Sequence, residues 1–424
     1  MSRVAAAMHL PAGATIAVAL QWDAHTSLQV GRLGMRGRQV LFEYLPEFIA
    51  QGLEISPLKL PLRSGVMETR DAALEHLPGV FADSLPDGWG RLLLDRAARR
   101  QGLRPETLTP LDRLAHVGRN GIGALVYVPE LGTITDSIPM DLDQLADASR
   151  QVLASESDEL LDRLRQLGGS PQGARPKALV QVHQSTGQLS DQHCDLGDGW
   201  RHWLVKFAAL SDVADIGAVE LAYAQMATAA GVLMPPVLLL PSRHGAGYFA
   251  AQRFDRQGDQ RAHVATAAGL LHADFRVPSL DYLDLARLTL RLTRDQRQAE
   301  QLVRLAAFNV LAHNRDDHAK QFTFQMDRRG AWQLAPAYDL TYSAGPGGEH
   351  CTSIAGEGKN PGHEQLHRLA AVAGLERSDA AQIFARTADA VARWPEFAAH
   401  SGVSKATTAL VAAGLRRVAQ VGQG

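Results

Sequence analysis

Residues 309–343, NVLAHNRDDHAKQFTFQMDRRGAWQLAPAYDLTYS, gather the densest set of convergent polar groups in the chain. Upstream, Leu302, Leu305, Ala306, Val310 and Leu311 recur at helical spacing. That pattern runs into Asn314, Arg315, Asp316, Asp317, His318, Lys320 and Gln321, after which Phe322, Phe324 and Met326 switch to the two-residue period of a strand. A turn at Arg328, Arg329 and Gly330 and a second strand with Trp332 and Leu334 then deliver Pro336, Ala337, Tyr338 and Asp339. The hairpin therefore returns a second carboxylate to the neighbourhood of Asp316, on loops held by rigid elements.

Phosphoryl transfer calls for such a set: a carboxylate to orient or deprotonate the attacking hydroxyl, a neutral oxygen ligand for magnesium soon after it, and a second carboxylate on the metal. Asp316 and Gln321 stand five positions apart, the separation of base and amide in protein-kinase catalytic loops, and Asp339 follows after the hairpin. One Asp and one amide at that spacing are a weak signal, read equally well as a solvated polar loop. The second Asp and two upstream elements strengthen it.

The segment resembles the catalytic loop of the HipA family of serine/threonine kinases, which runs N-x-D-x-H-x-K-N-F and is followed by a metal-binding Asp in P-x-Y-D. Asn314, Asp316, His318, Lys320 and Phe322 fit the first motif, and Pro336, Tyr338 and Asp339 the second. Gln321 stands where the family usually has Asn, keeping the amide oxygen but setting it one methylene further out.

Outward from this segment, helical patterns at 142–153 and 159–167 end in Gly168 and Gly169, and SPQGARPK (170–177) leads into the strand ALVQV. A glycine-containing loop before a strand can turn backbone N–H groups toward phosphates; GGSPQGARPK resembles the family's phosphate-binding loop. Lys206, in the apolar strand HWLVKFA, needs an anion if its ammonium points inward, and is otherwise an outward-facing lysine. Glu220, on a helix over 213–231, either pairs with Lys206 or is solvated. Only six lysines are present (Lys59, Lys177, Lys206, Lys320, Lys359 and Lys405), and half lie in these motifs.

Toward the N-terminus, apolar alternation at 15–45 predicts a small antiparallel sheet, FADSLPDGWG (81–90) a helix starting near Pro86, and GRNGIGALVYVPE (118–130) a glycine-punctuated strand. These segments resemble the extra N-terminal subdomain of HipA proteins and carry no obvious chemistry. From His263 onward the patterns are mainly helical, with amphipathic stretches at 280–292, 296–313, 365–375, 380–394 and 405–421 and mobile-looking loops between 343 and 364.

Bulk properties set limits. The 424 residues, 46% of them hydrophobic, suffice for two or three packed cores. A formal charge of −2 makes no electrostatic case for nucleic acid or an anionic membrane as the principal partner. The start, MSRVAAAMHLPAGATIAVAL, is broken by Pro11 and Gly13 and reads as neither signal peptide nor membrane span. Cys194 and Cys351 lack metal-ligand spacing and suit a reducing cytoplasm.

The resemblance implies an α+β, two-lobed protein-kinase-like fold: an N-terminal subdomain over 1–135, a mixed N-lobe over 136–256 and a helical C-lobe over 257–424. It implies ATP and Mg2+ as cofactors. Catalytic roles fall on Asp316, His318 and Lys320, and metal ligation on Gln321 and Asp339. ATP binding falls on Ser170, Gly173, Lys177 and Lys206, with backbone groups from Gln252 to Phe254 reading adenine and Asp255 binding ribose. Ser170 would also be self-phosphorylated, switching the protein off. The implied function is a growth-inhibiting toxin that phosphorylates a protein, such as an aminoacyl-tRNA synthetase, and is restrained by a small helix-turn-helix antitoxin through which alone it meets DNA. A small-molecule kinase and, because of Gln321, a partner-binding pseudokinase are the alternatives.

Overall fold

The computed structural model describes residues 7–131, 141–169, 171–191 and 196–421. The alternation near the N-terminus builds a five-stranded antiparallel sheet in the order Met67–Glu68, Gln39–Tyr44, Ser27–Arg36, Ile16–Gln21, Leu125–Val128. Ile16, Val18 and Leu20 share one face and are fully buried. The strand expected over 118–130 is shorter, because its glycine-rich first half is a loop that reaches toward residues 253–264.

A second antiparallel sheet runs Leu189–Ser190, Lys177–His183, Trp200–Lys206, Tyr248–Gln252, Val237–Leu240. Its two faces have different partners. Val180, Trp203 and Val205 pack on helices Leu142–Ala154 and Leu161–Gly168, and on the helix Gly88–Arg100 that follows the first sheet. Lys177, Leu204 and Lys206 line a cavity on the other face. Helix Ile216–Ala230 is apolar on most of its sides and correspondingly buried, with Glu220 only 3% exposed, so the solvated reading of Glu220 fails.

The hairpin Thr323–Met326 and Trp332–Leu334 is joined by a third strand, His263–Thr266, at the start of the part read as mainly helical. Four residues are too few for a period to declare itself. Helices Tyr282–Thr293, Gln296–Leu311, His363–Val372, Arg377–Ala392, Trp394–Ser401 and Lys405–Val421 complete this half. Pro395 in the first turn of Trp394–Ser401 marks the start of a helix separate from Arg377–Ala392. The architecture is thus mixed, with α-helices and antiparallel sheets. Among the described residues no helix is long and apolar enough to cross a membrane.

Candidate active site

The catalytic-loop candidate hangs from the end of helix Gln296–Leu311. His313 turns the chain in a left-handed conformation (φ 54°). Beyond it, Asn314 Nδ2 donates to Asn309 Oδ1 (2.9 Å), Asn309 Nδ2 to the Tyr282 hydroxyl (2.9 Å), and that hydroxyl to Asp317 Oδ2 (2.9 Å). Asp317 is fully buried, and also takes His350 Nδ1 at 2.8 Å and the Cys351 N–H at 2.8 Å. This inward carboxylate fixes the backbone so that its neighbour Asp316 turns into an open cleft, beside Cys351 Sγ. Burial pushes the Asp316 carboxyl up, His318 pulls it down and Asp339 pushes it up again, with a net rise. The same contacts correct the reading of 343–364 as mobile. Cys351 and Thr352 are tied to Asp317, Ser353 and Gly356 to the cap residue Asp281, and the Gly348 and Lys359 carbonyls to Arg315.

Asp339 sits at φ 57°, an uncommon conformation for a non-glycine residue and one found where function demands a fixed side chain. Its Oδ1 pairs with Lys206 Nζ and its Oδ2 accepts from Gln321 Nε2 at 3.0 Å. Lys206 also meets Glu220 Oε2 at 3.0 Å. Burial pushes the Asp339 carboxyl up, but Lys206 and Lys177 outweigh it and hold the group well below the carboxylate range. Lys206 is lowered by burial and raised further by Asp339 and Glu220, for a net rise. Lys177 stands directly opposite Lys206 on the neighbouring strand. Two ammonium groups in register repel, and Lys177, buried and bonded to the Gln172 carbonyl, is pushed down to about 8, chiefly by burial. Gln321 donates its amide N–H to Asp339, so its longer side chain reaches that carboxylate.

Sequence reasoning missed how far the N-terminal subdomain enters the cleft. Asp87 Oδ1 accepts the Gly173 N–H at 2.6 Å and its Oδ2 accepts Lys320 Nζ at 2.5 Å. Gln172 Nε2 donates to the Asp83 carbonyl at 2.5 Å. The subdomain, which showed no obvious chemistry in sequence, thus supplies bonding partners to residues of the cleft. Its only sequence signal was an Asp followed by glycine at a helix start, which reads as a cap. Arg175 was missed as well: it joins the same loop to Asp212 (2.9 Å) and Glu220 (3.2 Å).

Family models match both halves of the chain: a HipA-like C-terminal domain over residues 169–394 and a HipA N-terminal domain over residues 24–128. The chain belongs to the HipA family. A solved structure that it resembles is a Shewanella oneidensis MR-1 toxin–antitoxin system HipA, in complex with HipB and operator DNA. The TM-score is 0.66 at 17% identity, covering 93% of this chain and 95% of that one. No curated protein is a significant match.

Against the residues expected of a HipA protein, the geometry divides. Asp316, His318, Lys320, Gln321, Asp339, Gly173, Lys177 and Lys206 all line one cleft of 690 Å³ or the cavity next to it. The cavity, 160 Å³ and largely apolar, is lined by Leu204, Met234, Val237, Phe249 and Val264, with Phe254 stacked on Tyr338 at 6.0 Å between ring centroids. Asp255 is a correction. It is 2% exposed and spends its carboxylate on Arg253, Arg256 and the Gly123 N–H, so a ribose hydroxyl has no free oxygen there. The Gln252 and Arg253 N–H groups are likewise committed, to the Pro236 and His202 carbonyls, which leaves their own carbonyls and Phe254 to meet a base. Ser170 lies outside the described residues. Among the described residues, no three His, Cys, Asp or Glu side chains form a metal cluster. The donors present, one carboxylate of Asp339 with the neighbouring Gln321 amide, suit magnesium, which is commonly held by one or two carboxylates plus substrate phosphates and water.

Proposed function

We propose that this HipA-family protein is a two-lobed, ATP- and magnesium-dependent serine/threonine protein kinase. The observation that carries the reading is the opposed pair Lys177 and Lys206, sharing a cleft with Asp339, Gln321 and Asp316 and opening on an apolar cavity. Lys206 is paired with Glu220 and Asp339 while Lys177 bonds a backbone carbonyl; two ammonium sites facing one cleft suit a polyanion, and an adjoining apolar slot suits a flat base.

In this reading the cavity takes adenine, and Lys177 and Lys206 bind phosphate oxygens. Asp316 accepts the proton of a serine or threonine hydroxyl as that oxygen bonds to the terminal phosphorus and the bond to the leaving diphosphate breaks. Its raised pKa brings it nearer to the range of a useful base. Lys320 stands on the same loop to meet charge on the transferred group. Magnesium, when bound, would neutralise phosphate charge, with Asp339 and the Gln321 amide oxygen as its protein ligands.

The HipA in the Shewanella structure is a toxin-system component found with HipB and operator DNA. By that likeness we extend to this chain a role as a toxin, a small helix-turn-helix antitoxin partner, and DNA contact through that partner; aminoacyl-tRNA synthetases are candidate targets by family resemblance. The test is incubation of the purified protein with labelled ATP, magnesium and bacterial lysate, read as phosphoserine and phosphothreonine peptides, with Asp316→Asn as control. Label on proteins in the wild-type sample alone is expected. Label on a small metabolite, or tight nucleotide binding without transfer, overturns the reading.

A further inference from the structure

Asp87 stands at the start of helix Gly88–Arg100 without capping it: no first-turn N–H donates to its carboxylate. An Asp in that position ordinarily satisfies one of the orphan donors of the helix start. Both oxygens are instead turned to other parts of the chain. Oδ1 accepts the Gly173 N–H at 2.6 Å, and Oδ2 accepts the Lys320 ammonium at 2.5 Å. A local rule of stability is set aside in favour of two long-range bonds, a pattern that marks functional positions.

Both contacts are tightly seated. The Gly173 peptide is gripped from two sides, since its carbonyl also accepts the Trp89 N–H at 3.0 Å. Gly88 lies at φ 40° with the backbone of Gly173 and Ala174 within 2.6–2.7 Å of where a Cβ would stand, so a side chain there would force the two segments apart. Lys320 is 8% exposed on its side chain, and its ammonium lies 4.1 Å from the Phe275 ring centroid. Removing Asp87 would leave that buried charge with the ring and the more distant Asp83 carboxylate, and without a direct ion pair.

We propose that Asp87 is a positioning residue of the nucleotide site: it clamps the loop 171–176 closed and holds the Lys320 ammonium beside the catalytic loop, making the N-terminal subdomain a working part of that site. The role of the assembled site rests on the kinase reading; the clamp itself does not.

Hydrogen–deuterium exchange of the nucleotide-free, full-length protein tests the clamp alone. In Asp87→Ala the amides of 172–175 exchange about tenfold faster or more, as local opening is eased, while strand Lys177–His183 stays protected. Asp87→Ser, cap-competent but too short to span both partners, substitutes for Asp87→Ala if that variant does not fold. Asp87→Asn keeps an acceptor for Gly173 and loses the ion pair. It should leave the loop near wild type yet lower kcat with little change in KM for ATP. In a Lys320→Gln background, Asp87→Asn should add nothing. Unchanged exchange in Asp87→Ala or its substitute, or losses from Asp87→Asn and Lys320→Gln that simply add, overturns the proposal. If the wild-type protein transfers no phosphate, the kinase reading fails and the exchange data still judge the clamp.

Discussion

Two side chains set the pH behaviour of the cleft, and they titrate in opposite senses. Asp316 is raised, mainly by burial. Its fold-stabilising contribution is therefore present at low pH, where it is protonated, and is lost as pH rises through its folded pKa. On the kinase reading activity runs the other way, because only the ionised form is a base. The acid limb of phosphoryl transfer should lie above the ordinary Asp value of about 3.9. Asp316→Asn should remove that limb and lower kcat by about 10²–10⁴-fold, measured by single-turnover transfer across pH. An unshifted limb or a near wild-type rate would remove Asp316 from the base role. Lys177 is depressed by burial to about 8. Between that value and the ordinary lysine range, the folded side chain is neutral while the unfolded one is protonated, so stability rises with pH there. Nucleotide affinity should fall as pH climbs through about 8, because the protein must take up a proton to present an ammonium. Calorimetry in two buffers of different ionisation enthalpy should register proton uptake at pH values above 8 but not well below it, and Lys177→Met should abolish it. Asp316, Gln321, Asp339 and Lys206 were legible because their spacing and apolar flanks carry a recognisable chemistry. Asp87 was not, since its partner Lys320 lies 233 positions away and its own segment reads as a helix start.

At the level of elements, the candidate catalytic loop is positioned by a buried polar relay, not by apolar packing. Asn314, Asn309, Tyr282, Asp317 and His350 link the end of one helix, the start of another and the segment 350–352. Each side chain in this relay leans on the next, although Asn314 Oδ1 is itself buried without a hydrogen-bond partner. Asp317→Ala strands His350, the Tyr282 hydroxyl and the Cys351 N–H together, and should cost about 3–5 kcal/mol, as when a buried pair loses one partner. Tyr282→Phe leaves the Asn309 amide short of one acceptor and should cost about 1–3 kcal/mol. Urea unfolding of both variants measures the order, and Asp317→Ala proving the milder would place the anchor elsewhere. Most helices here were legible from their periodicity, down to the final one at Lys405–Val421. What escaped was decided by partners distant in sequence. His263–Thr266 becomes a strand because the hairpin offers it an edge, and Asp255, though it lines the cavity, has its carboxylate engaged by Arg253, Arg256 and Gly123. Neither choice leaves a local trace in composition or period.

Across the whole molecule, the N-terminal subdomain shares its core with the rest of the chain. One continuous apolar cluster runs from Ile16 and Phe42 through Phe81 to Tyr223, Phe308 and Trp394, and helix Gly88–Arg100 contributes Trp89 and Leu93 to the core beneath the second sheet. The contact is closest where glycines meet. A Cβ on Gly79 would stand 2.1 Å from the Gly269 carbonyl, and one on Gly269 would stand 2.3 Å from the Asp83 carboxylate. Helices Gly79–Ala82 and Ala267–Leu271 thus cross backbone to backbone, with His272 Nε2 accepting the Gly79 N–H at 3.0 Å. A subdomain joined in this way cannot leave without exposing apolar surface on both sides. Unfolding in urea should therefore be a single transition, with tryptophan fluorescence and far-UV circular dichroism coinciding; buried tryptophans on both sides of the junction, Trp22, Trp89, Trp203 and Trp394, make the fluorescence sensitive to either part. Gly79→Ala should shift that shared transition to lower urea by about 1–3 kcal/mol or more, because the obstructing atom is backbone and cannot swing aside. Two separated transitions in the wild type, or a Gly79→Ala variant that melts its N-terminal part early while the remainder keeps its wild-type midpoint, would make the subdomain an independent unit and leave the shared core without energetic weight.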